Sequence, residues 1–566
     1  MNASLQSPHN GPRCAGASSF FAALLAALCP AMLPAQAPTW QAPPKLVVGI
    51  VVDQMRTDYL YRYWDNFGEG GFRRMVREGA FLRDAHFDYA PTYTAPGHAS
   101  IYTGTTPAFH GIVGNDLFYR KLGRDRYCAE DTTMQSVGMA GAVGQRSPVN
   151  LLATTLADEL ERRTERRSRT IGISLKDRSA IFPIGRTGDA AYWFGGGPDG
   201  AFVTSTWYTK VLPEWLQRFN ADRPAVRYLQ NTWDLLLPKE RYHEVLPDDN
   251  PYEIPLTGAS TATLPLDLKA LYTSSSTTGI ITYTPWGNTL TTDVALAALE
   301  GEGLGTDAIT DLLAVSYSSP DILGHRVGPR ALELEDMYVR LDREIERLLK
   351  ALDERVGKDR YVVFLTADHG GVDVPAYLKD LRGSAGYVDQ GALRVDLEQH
   401  LQKRYGAGPW VSGILNEQIY LNDTLITARK LDVATVQRAA ADHLVHHPDI
   451  AHAFTATDLL WNNYTSGPAQ ALQRGFMVQR SGDVAFVMRP GHFELYGNAI
   501  GKGTTHGSPW NYDTHVPILF FGQGVAQGEV LRRISITDIA PTIAMLVGMT
   551  MPDASSGEVV PEVIRP

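Results

Sequence analysis

Five short runs of aliphatic and β-branched residues are spread along the chain of 566 residues. Runs of this kind are typical of strands that are buried on both faces of a parallel sheet. Amphipathic segments that favour helices lie between them, and this alternation predicts an α/β fold with a doubly wound, mainly parallel central sheet and helices on both faces. The predicted strands are Leu46–Val52, Thr170–Leu175, Leu312–Tyr317, Tyr361–Thr366 and Val516–Phe521. The predicted helices are Asn150–Arg163, Arg330–Asp353 and Thr537–Val547.

Two stretches interrupt the alternation and are predicted to be insertions in this sheet fold. They span about residues 188–288 and 375–498. The first is rich in Trp, Tyr, Pro and Thr with weak periodicity, and the second carries patterns of its own. Within the second, Gly475–Val487 alternates around a Ser-Gly-Asp turn and predicts a hairpin, whereas Leu431–His446 has helical spacing.

The N-terminal 37 residues predict a signal peptide. Arg13 precedes an apolar run, Phe20–Leu28, and small residues ending at Ala37 form a cleavage site. A membrane anchor is the alternative, but Pro30 and Pro34 break the apolar run, which is shorter than the roughly 20 residues of a spanning helix. We therefore expect cleavage after Ala37 and a periplasmic or secreted protein without a membrane anchor.

The composition excludes several classes of protein. Hydrophobic residues make up 44% of the chain and charged residues 20%, which is typical of a globular protein rather than a disordered or fibrous one. A net charge of −10 does not favour a nucleic-acid-binding surface. Cys128 is the only cysteine after the predicted cleavage site, so we expect no internal disulfide. No feature of the sequence indicates an obligate protein partner.

Polar clusters follow the predicted strands, where α/β sheets bind their ligands. Asp368 and His369 come directly after one strand, and two glycines follow that permit the turn needed for both side chains to face one ion. Asp321 and His325 follow another strand at a spacing of four residues, which places them on the same side of a helical turn. Each pair also has a simpler interpretation, an ordinary turn for the first and a helix cap for the second.

Two further positions complete the set of candidate metal ligands. Asp53 ends the first predicted strand, and a helix cap is its alternative role. His506 lies among small residues before the last predicted strand. Together the four positions offer three carboxylates and three imidazoles, a mixed set that zinc accepts, whereas magnesium and calcium prefer oxygen ligands alone. The sequence therefore predicts zinc.

A candidate nucleophile lies in the segment from Pro91 to His98, which leads into a helix. Pro96 is suited to the first turn of that helix, and Thr94 would lie near its positive end. A neighbouring zinc ion would lower the pKa of the Thr94 hydroxyl much further. Without metals, Thr94 would merely cap the helix.

A candidate phosphate clamp follows another strand. Lys176 and Arg178 are two residues apart, so in an extended segment their side chains point to the same side. Asn115 could add a neutral donor to a phosphate oxygen. Taken singly, each of these residues is better explained by a solvated loop.

Together these motifs resemble the alkaline phosphatase superfamily, and in particular its bacterial branch of threonine-nucleophile phosphate-monoester phosphatases, which are related to the type I phosphodiesterases and nucleotide pyrophosphatases. The resemblance spans almost the whole chain after the predicted signal. It implies an alkaline phosphatase-like fold with residues 38–566 as one catalytic domain. The most specific motifs are Thr94-Ala95-Pro96-Gly97-His98, Asp321 with His325, Asp368-His369, His506-Gly507 and Tyr512-Asp513-Thr514-His515-Val516-Pro517.

The resemblance also implies a role for each site residue. One zinc ion would be held by Asp321, His325 and His506. A second would be held by Asp53, Asp368, His369 and the oxygen of Thr94. Asn115, Lys176 and Arg178 would hold the phosphate oxygens where the serine branch uses magnesium, and His98 and His515 would be structural.

The implied activity is the hydrolysis of small-molecule phosphate monoesters through a phosphothreonine intermediate. A phosphodiesterase or nucleotide pyrophosphatase with the same ligands is the first alternative. Monoesters are favoured because a diester offers one non-bridging oxygen fewer to Lys176 and Arg178. A non-catalytic protein of the cell envelope that binds metal or phosphate is a minor alternative. A sulfatase would require Cys or Ser where Thr94 stands.

Overall fold

The computed structural model describes residues 42–495 and 500–565, and the predicted signal peptide lies outside them. Residues Pro43–Pro566 belong to one compact unit. Among the described helices, none combines the length and the apolar character that a membrane crossing requires.

A ten-stranded sheet forms the centre of the fold. Five adjacent strands run parallel, and these include four of the five predicted strands. Their residues are almost completely buried, as the β-branched runs predict. The order across the sheet is Gly528–Val530, Ala80–Leu82, Ile518–Gly522, Tyr361–Thr366, Leu46–Val52, Asp311–Tyr317, Thr170–Ser174, Ala190–Gly196, Ala201–Ser205 and Ser136–Val137.

The prediction that the last core strand is parallel is wrong. Ile518–Gly522 runs antiparallel to its neighbour Tyr361–Thr366. A buried strand has the same apolar composition in either direction, so composition cannot reveal the direction. As a consequence, the chain segment that precedes Ile518 lies at the edge of the sheet where the central parallel strands end.

Helices pack around this sheet. The predicted long helix is present as Leu332–Leu352, while the helix predicted from Asn150 begins only at Leu156. Thr155 explains this start, because its hydroxyl accepts from the Asp158 amide while the Asp158 carboxylate accepts from the Thr155 amide. The helices are Asp58–Arg62, Phe72–Glu78, Thr94–Thr103, Pro107–His110, Leu156–Arg163, Asp177–Ile184, Glu214–Ala221, Pro224–Tyr228, Leu268–Ser275, Pro285–Gly301, Ser319–Val327, Leu332–Leu352, Pro375–Asp380, Gln390–Tyr405, Asp423–Ala428, Val433–Leu444, Ala456–Trp461, Gly467–Gly475, Asn511–Thr514 and Ile539–Val547.

A second, four-stranded antiparallel sheet lies within residues 375–498 and has a hydrophobic core of its own. The helix predicted there is confirmed as Val433–Leu444. The predicted hairpin is wrong, because residues 476–483 form no strand and Val484–Met488 pairs with two other strands. The strand order is Val411–Leu415, Gln418–Leu421, Val484–Met488 and Ile450–Thr455. Two-stranded pairs join Thr232–Trp233 to Leu266–Asp267, Gly386–Val388 to His492–Glu494, Ile534–Ser535 to Ala85–His86, and Asp116–Tyr119 to Arg124–Tyr127.

Candidate active site

Charged side chains meet where the four central parallel strands end. Asp53 directly follows one of these strands, and Asp321 lies in the helix Ser319–Val327 after the next. The Lys176 amine, from the strand after that, lies 2.6 Å from Asp53 Oδ2 and 2.5 Å from Asp321 Oδ2. The structure thus gathers residues that are far apart in sequence, as expected for the carboxyl edge of a parallel sheet.

Three buried or half-buried histidines share one hydrogen-bonding pattern. The Nδ1–H groups of His325, His369 and His506 donate to the carbonyl oxygens of Thr504, Gly370 and Thr92, over 2.9, 2.9 and 2.8 Å. A bond of this kind fixes the tautomer and leaves the Nε2 lone pair of each ring as a ligand atom. The Nε2 atoms of His325 and His506 lie 3.1 and 3.6 Å from Asp321 Oδ1.

The histidines and carboxylates form two overlapping groups. In one, ligand atoms of Asp321, His369 and His506 lie within 4.8 Å of one another, and in the other those of Asp53, Asp368 and His369 do. His369 belongs to both, because its ring stacks on His506 with 3.4 Å between centroids and its Nε2 lies 3.4 Å from Asp53 Oδ1 and 3.6 Å from Asp368 Oδ2. Mixed nitrogen and oxygen atoms at this spacing fit a zinc ion.

The buried carboxylates also fit a bound metal cation. Asp53 Oδ1 and Asp368 Oδ2 are buried and have no hydrogen-bond partner within residues 42–495 and 500–565. Burial, together with the charges of Asp321 and Asp368, raises the pKa of Asp53 well above its ordinary value. Burial alone would also raise the pKa of Asp321, but the His325 ring and the Lys176 amine lower it well below its ordinary value. The site therefore carries a surplus of buried negative charge that a bound cation would neutralise.

Thr94 is the first residue of the helix Thr94–Thr103, and its hydroxyl does not cap that helix. Instead, its Oγ1 lies 3.4 Å from His369 Nε2 and 3.5 Å from Arg178 Nη2. The helix packs closely on the metal-site candidates, since a Cβ on Gly97 would lie 2.3 Å from the Asp368 carbonyl oxygen. Thr94 is thus held at a positive helix end beside a candidate ligand.

The predicted clamp residues also reach the site. Arg178 Nη1 lies 3.2 Å from the Tyr127 hydroxyl, while its buried Nε has no hydrogen-bond partner in the described parts of the chain. Asn115 Oδ1 accepts from the Ala95 amide at 3.0 Å, which leaves the Asn115 NH2 group as a donor. Lys176 differs from the others because it bridges two carboxylates.

Sequence reasoning missed Gln54. Its backbone amide donates to Asp368 Oδ1 at 3.2 Å and its side-chain amide donates to Asp321 Oδ1 at 2.6 Å, so it ties two candidate ligands together. Gln54 has a positive φ of 63°, an uncommon conformation for a residue with a side chain. Its position directly after Asp53 was the only signal available.

The two remaining motif histidines do not belong to the candidate ligand set, although His98 Nδ1 lies 3.3 Å from Asp368 Oδ2. His98 Nδ1 donates to the Thr94 carbonyl oxygen at 2.9 Å, and its Nε2 lies 2.9 Å from Ser316 Oγ. His515 Nε2 donates to the Arg83 carbonyl oxygen at 2.8 Å. His98 therefore supports the segment that carries Thr94, which agrees with a structural role.

Similarity to known proteins shows the family of this chain. The chain matches the family model described as type I phosphodiesterase / nucleotide pyrophosphatase over residues 47–509. This chain belongs to that family. It is 40% identical to alkaline phosphatase PafA of Elizabethkingia meningoseptica over 525 residues, which cover 92% of this chain and 94% of the relative.

Two further proteins resemble this phosphodiesterase-family member over most of its length. A protein of Myroides odoratus named calcium-transporting ATPase is 42% identical over 525 residues, covering 92% of this chain and 95% of that protein. The crystal structure of wild-type alkaline phosphatase PafA has a TM-score of 0.89 at 39% identity, covering 92% of this chain and 99% of that one. The predicted alkaline phosphatase-like α/β fold and the PafA-like branch are therefore confirmed.

Proposed function

We propose that this protein is an alkaline phosphatase that hydrolyses small-molecule phosphate monoesters, with two zinc ions and Thr94 as the nucleophile. The observation that carries the proposal is the shared pattern of His325, His369 and His506. Each ring donates through Nδ1 to a backbone carbonyl and leaves Nε2 for a ligand role beside buried carboxylates. The relative named alkaline phosphatase PafA supports the reaction class.

The resemblance to the alkaline phosphatase superfamily implies how two ions would be shared. We assign Asp321, His325 and His506 to one ion. We assign Asp53, Asp368, His369 and Thr94 Oγ1 to the other. Zinc bound there would supply Lewis-acid chemistry, lowering the pKa of the Thr94 hydroxyl and neutralising charge on the departing oxygen.

The chain's own residues carry the two chemical steps. Thr94 Oγ1 attacks phosphorus, the bond from phosphorus to the ester oxygen breaks, and the alcohol leaves a phosphothreonine behind. Water then attacks phosphorus and releases inorganic phosphate and the free Thr94 hydroxyl. The positive end of the helix Thr94–Thr103 favours the developing charge on Thr94.

Three side chains would hold the phosphate oxygens. Arg178 lies 3.5 Å from Thr94 Oγ1 and offers a buried Nε, and Asn115 offers its NH2 group. Lys176 would hold both a phosphate oxygen and the carboxylates of Asp53 and Asp321. A monoester carries more negative charge on these oxygens than a diester does, so the clamp favours monoesters.

One experiment tests the proposal directly. Bound metal is measured in the purified protein, and kcat/KM is measured for an aryl phosphate monoester and the matching diester. The proposal requires about two zinc ions per chain and faster turnover of the monoester. A protein that hydrolyses the diester faster would instead be a phosphodiesterase. A protein that binds zinc and phosphate but hydrolyses neither ester would be the non-catalytic alternative.

We also propose that the protein is exported and acts in the periplasm or outside the cell. The proposal rests on the apolar segment Phe20–Leu28 and the small residues up to Ala37. Residues 38–566 would then be the mature catalytic domain, with the segment near 375–498 as an insertion. The other predicted insertion, near 188–288, contributes the strands Ala190–Gly196 and Ala201–Ser205 to the central sheet, so only its part after these strands would be inserted.

A further inference from the structure

A cavity of about 370 Å³ lies beside the candidate metal ligands His325 and His506. Its other walls include Tyr93, Ile254, Tyr387 and Phe493. The rings of Tyr387 and Phe493 meet edge to face, with 5.2 Å between their centroids and an angle of 88° between their planes. Asn115 and Lys502 add polar groups to the lining, while the aromatic side chains of the other walls suit a planar ring better than a small polar alcohol.

Tyr93 lines this cavity and directly precedes Thr94 in the chain. Its ring lies edge-on against His506, with 5.5 Å between centroids, and packs on Gly507. The Tyr93 hydroxyl donates to the Glu417 carboxylate, whose two oxygens lie 2.9 and 2.8 Å away. The ring is therefore held partly by Glu417, which is not among the residues that line the cavity.

Glu417 comes from the second sheet, not from the central one. It lies in the turn between the strands Val411–Leu415 and Gln418–Leu421, and both turn residues, Asn416 and Glu417, have positive φ values of 53° and 55°. Asn416 Nδ2 donates to the Asp116 carbonyl oxygen at 2.8 Å, which anchors the turn next to Asn115. Residues other than glycine rarely have positive φ values, so two in succession indicate a turn that its contacts hold in place.

The reacting groups are held by bonds that do not involve the Tyr93 hydroxyl. The Thr92 amide donates to the Gly507 carbonyl at 3.2 Å, and the Gly97 amide donates to the Tyr93 carbonyl at 2.9 Å. His506 is fixed by its own Nδ1 bond to Thr92. Loss of the bond to Glu417 would therefore remove one restraint on the Tyr93 ring without displacing Thr94 or His506.

We propose that this cavity is the subsite for the leaving alcohol, that it selects planar aromatic groups, and that Glu417 is a positioning residue that holds Tyr93 as its wall. The proposal rests on the proposed phosphatase function, which places the departing oxygen beside His325 and His506. It gives the second sheet a defined part in substrate choice.

The test compares benzyl phosphate with methyl phosphate on the zinc-loaded enzyme. Both are alkyl esters whose leaving alcohols have similar acidity, so their ratio of kcat/KM reports contacts with the ring. The variants are Tyr93→Phe, Glu417→Ala, their combination, and Glu417→Gln, which keeps an oxygen that can accept from Tyr93. Tyr228→Phe is the matched control, because Tyr228 also donates to a carboxylate, Asp293, at 2.5 Å outside the site.

Wild-type enzyme should prefer benzyl phosphate, and Tyr93→Phe and Glu417→Ala should each lower the preference about five- to tenfold. The double variant should lose no more than the single variants, since one bond is removed in each. Glu417→Gln and Tyr228→Phe should keep the wild-type ratio. Equal losses on both esters, or a wild-type enzyme without preference, would overturn the subsite while leaving the phosphatase function intact. Absence of turnover on both esters would instead contradict the phosphatase function.

Discussion

The Nε2 atom of His369 lies 3.4 Å from the hydroxyl oxygen of Thr94. Because His369 Nδ1 donates to the Gly370 carbonyl oxygen, Nε2 presents a lone pair and not a proton toward this hydroxyl. A candidate nucleophile and a candidate metal ligand thus face each other, which is the relationship that activation of a threonine by metal requires.

Thr94→Ala should lower kcat/KM for a phosphate monoester by at least about a thousandfold, because no other hydroxyl takes its place. Bound zinc and the folded state should persist, since six other ligand residues remain. Thr94→Ser is the matched variant that keeps the hydroxyl and should retain measurable turnover. The measurements are steady-state kinetics and metal analysis of the purified variants. Near wild-type activity in Thr94→Ala would refute the nucleophile assignment.

Removal of metal should abolish activity, and zinc should restore it better than magnesium or calcium. The physical reason is the ligand set, in which imidazole nitrogens of His369 and His506, and of His325 beside Asp321, accompany the carboxylates and favour zinc over cations that prefer oxygen. The assay is dialysis against a chelator followed by back-titration with each metal salt. Full activity after chelation, or recovery with magnesium alone, would show that the zinc assignment is wrong.

Arg178→Ala should slow monoester hydrolysis by about ten- to a hundredfold, the equivalent of one charge-assisted hydrogen bond to phosphate. Hydrolysis of the matching diester should fall less, because it makes fewer charged contacts. Arg146→Ala is a suitable control, since Arg146 contacts the same Tyr127 ring and pairs with Asp177. Equal losses on monoester and diester would remove the physical basis for a monoester preference.

Stability should decline as pH rises from about 4.5 toward 8 because of a buried carboxyl pair, with a slope of up to about 1.4 kcal/mol per pH unit for each group. Burial and the charge of Glu333 raise the pKa of Glu253 to about 9. Burial raises the pKa of Glu333 to about 8. In this range the folded state keeps protons that the unfolded chain has lost, so rising pH favours unfolding.

Denaturant unfolding at several pH values measures this slope. Glu333→Gln should flatten it, because the amide cannot ionise. Glu346→Gln, an exposed position on the same helix, should leave the slope unchanged. The pair would have no part in pH-dependent stability if Glu333→Gln followed the wild-type curve.

The exported protein should begin at Pro38. Cleavage requires small residues at the positions one and three residues before the cut, which are Ala37 and Ala35 here. Ala35→Leu should therefore block cleavage, while Gln36→Leu should be processed normally. Mass spectrometry of the mature N-terminus decides the point. An exported protein that begins before Phe20 would contradict the signal-peptide prediction.

Several parts of the site follow from local sequence alone. Asp321 and His325 are four residues apart on one helix, and this spacing by itself brings their ligand atoms to 3.1 Å. Asp53, like the Asp368-His369 pair, could be predicted because a β-branched run ends just before it, and parallel strands end at a common edge. In these cases the residues lie within a few positions of one another or of a strand end, so the local backbone conformation determines where their side chains lie.

Other parts depended on the tertiary structure. His506 reaches the metal site because Ile518–Gly522 is antiparallel, which brings the preceding segment to the carboxyl edge of its neighbours. Gln54 and Glu417 act through contacts with residues that are distant in sequence, from backbone conformations with positive φ. Hydrophobic patterning records which residues are buried, but a strand of either direction buries the same side chains. The sequence by itself therefore determined the strands and the ligand types, whereas only the packing of the whole sheet decided strand direction and which distant residues meet.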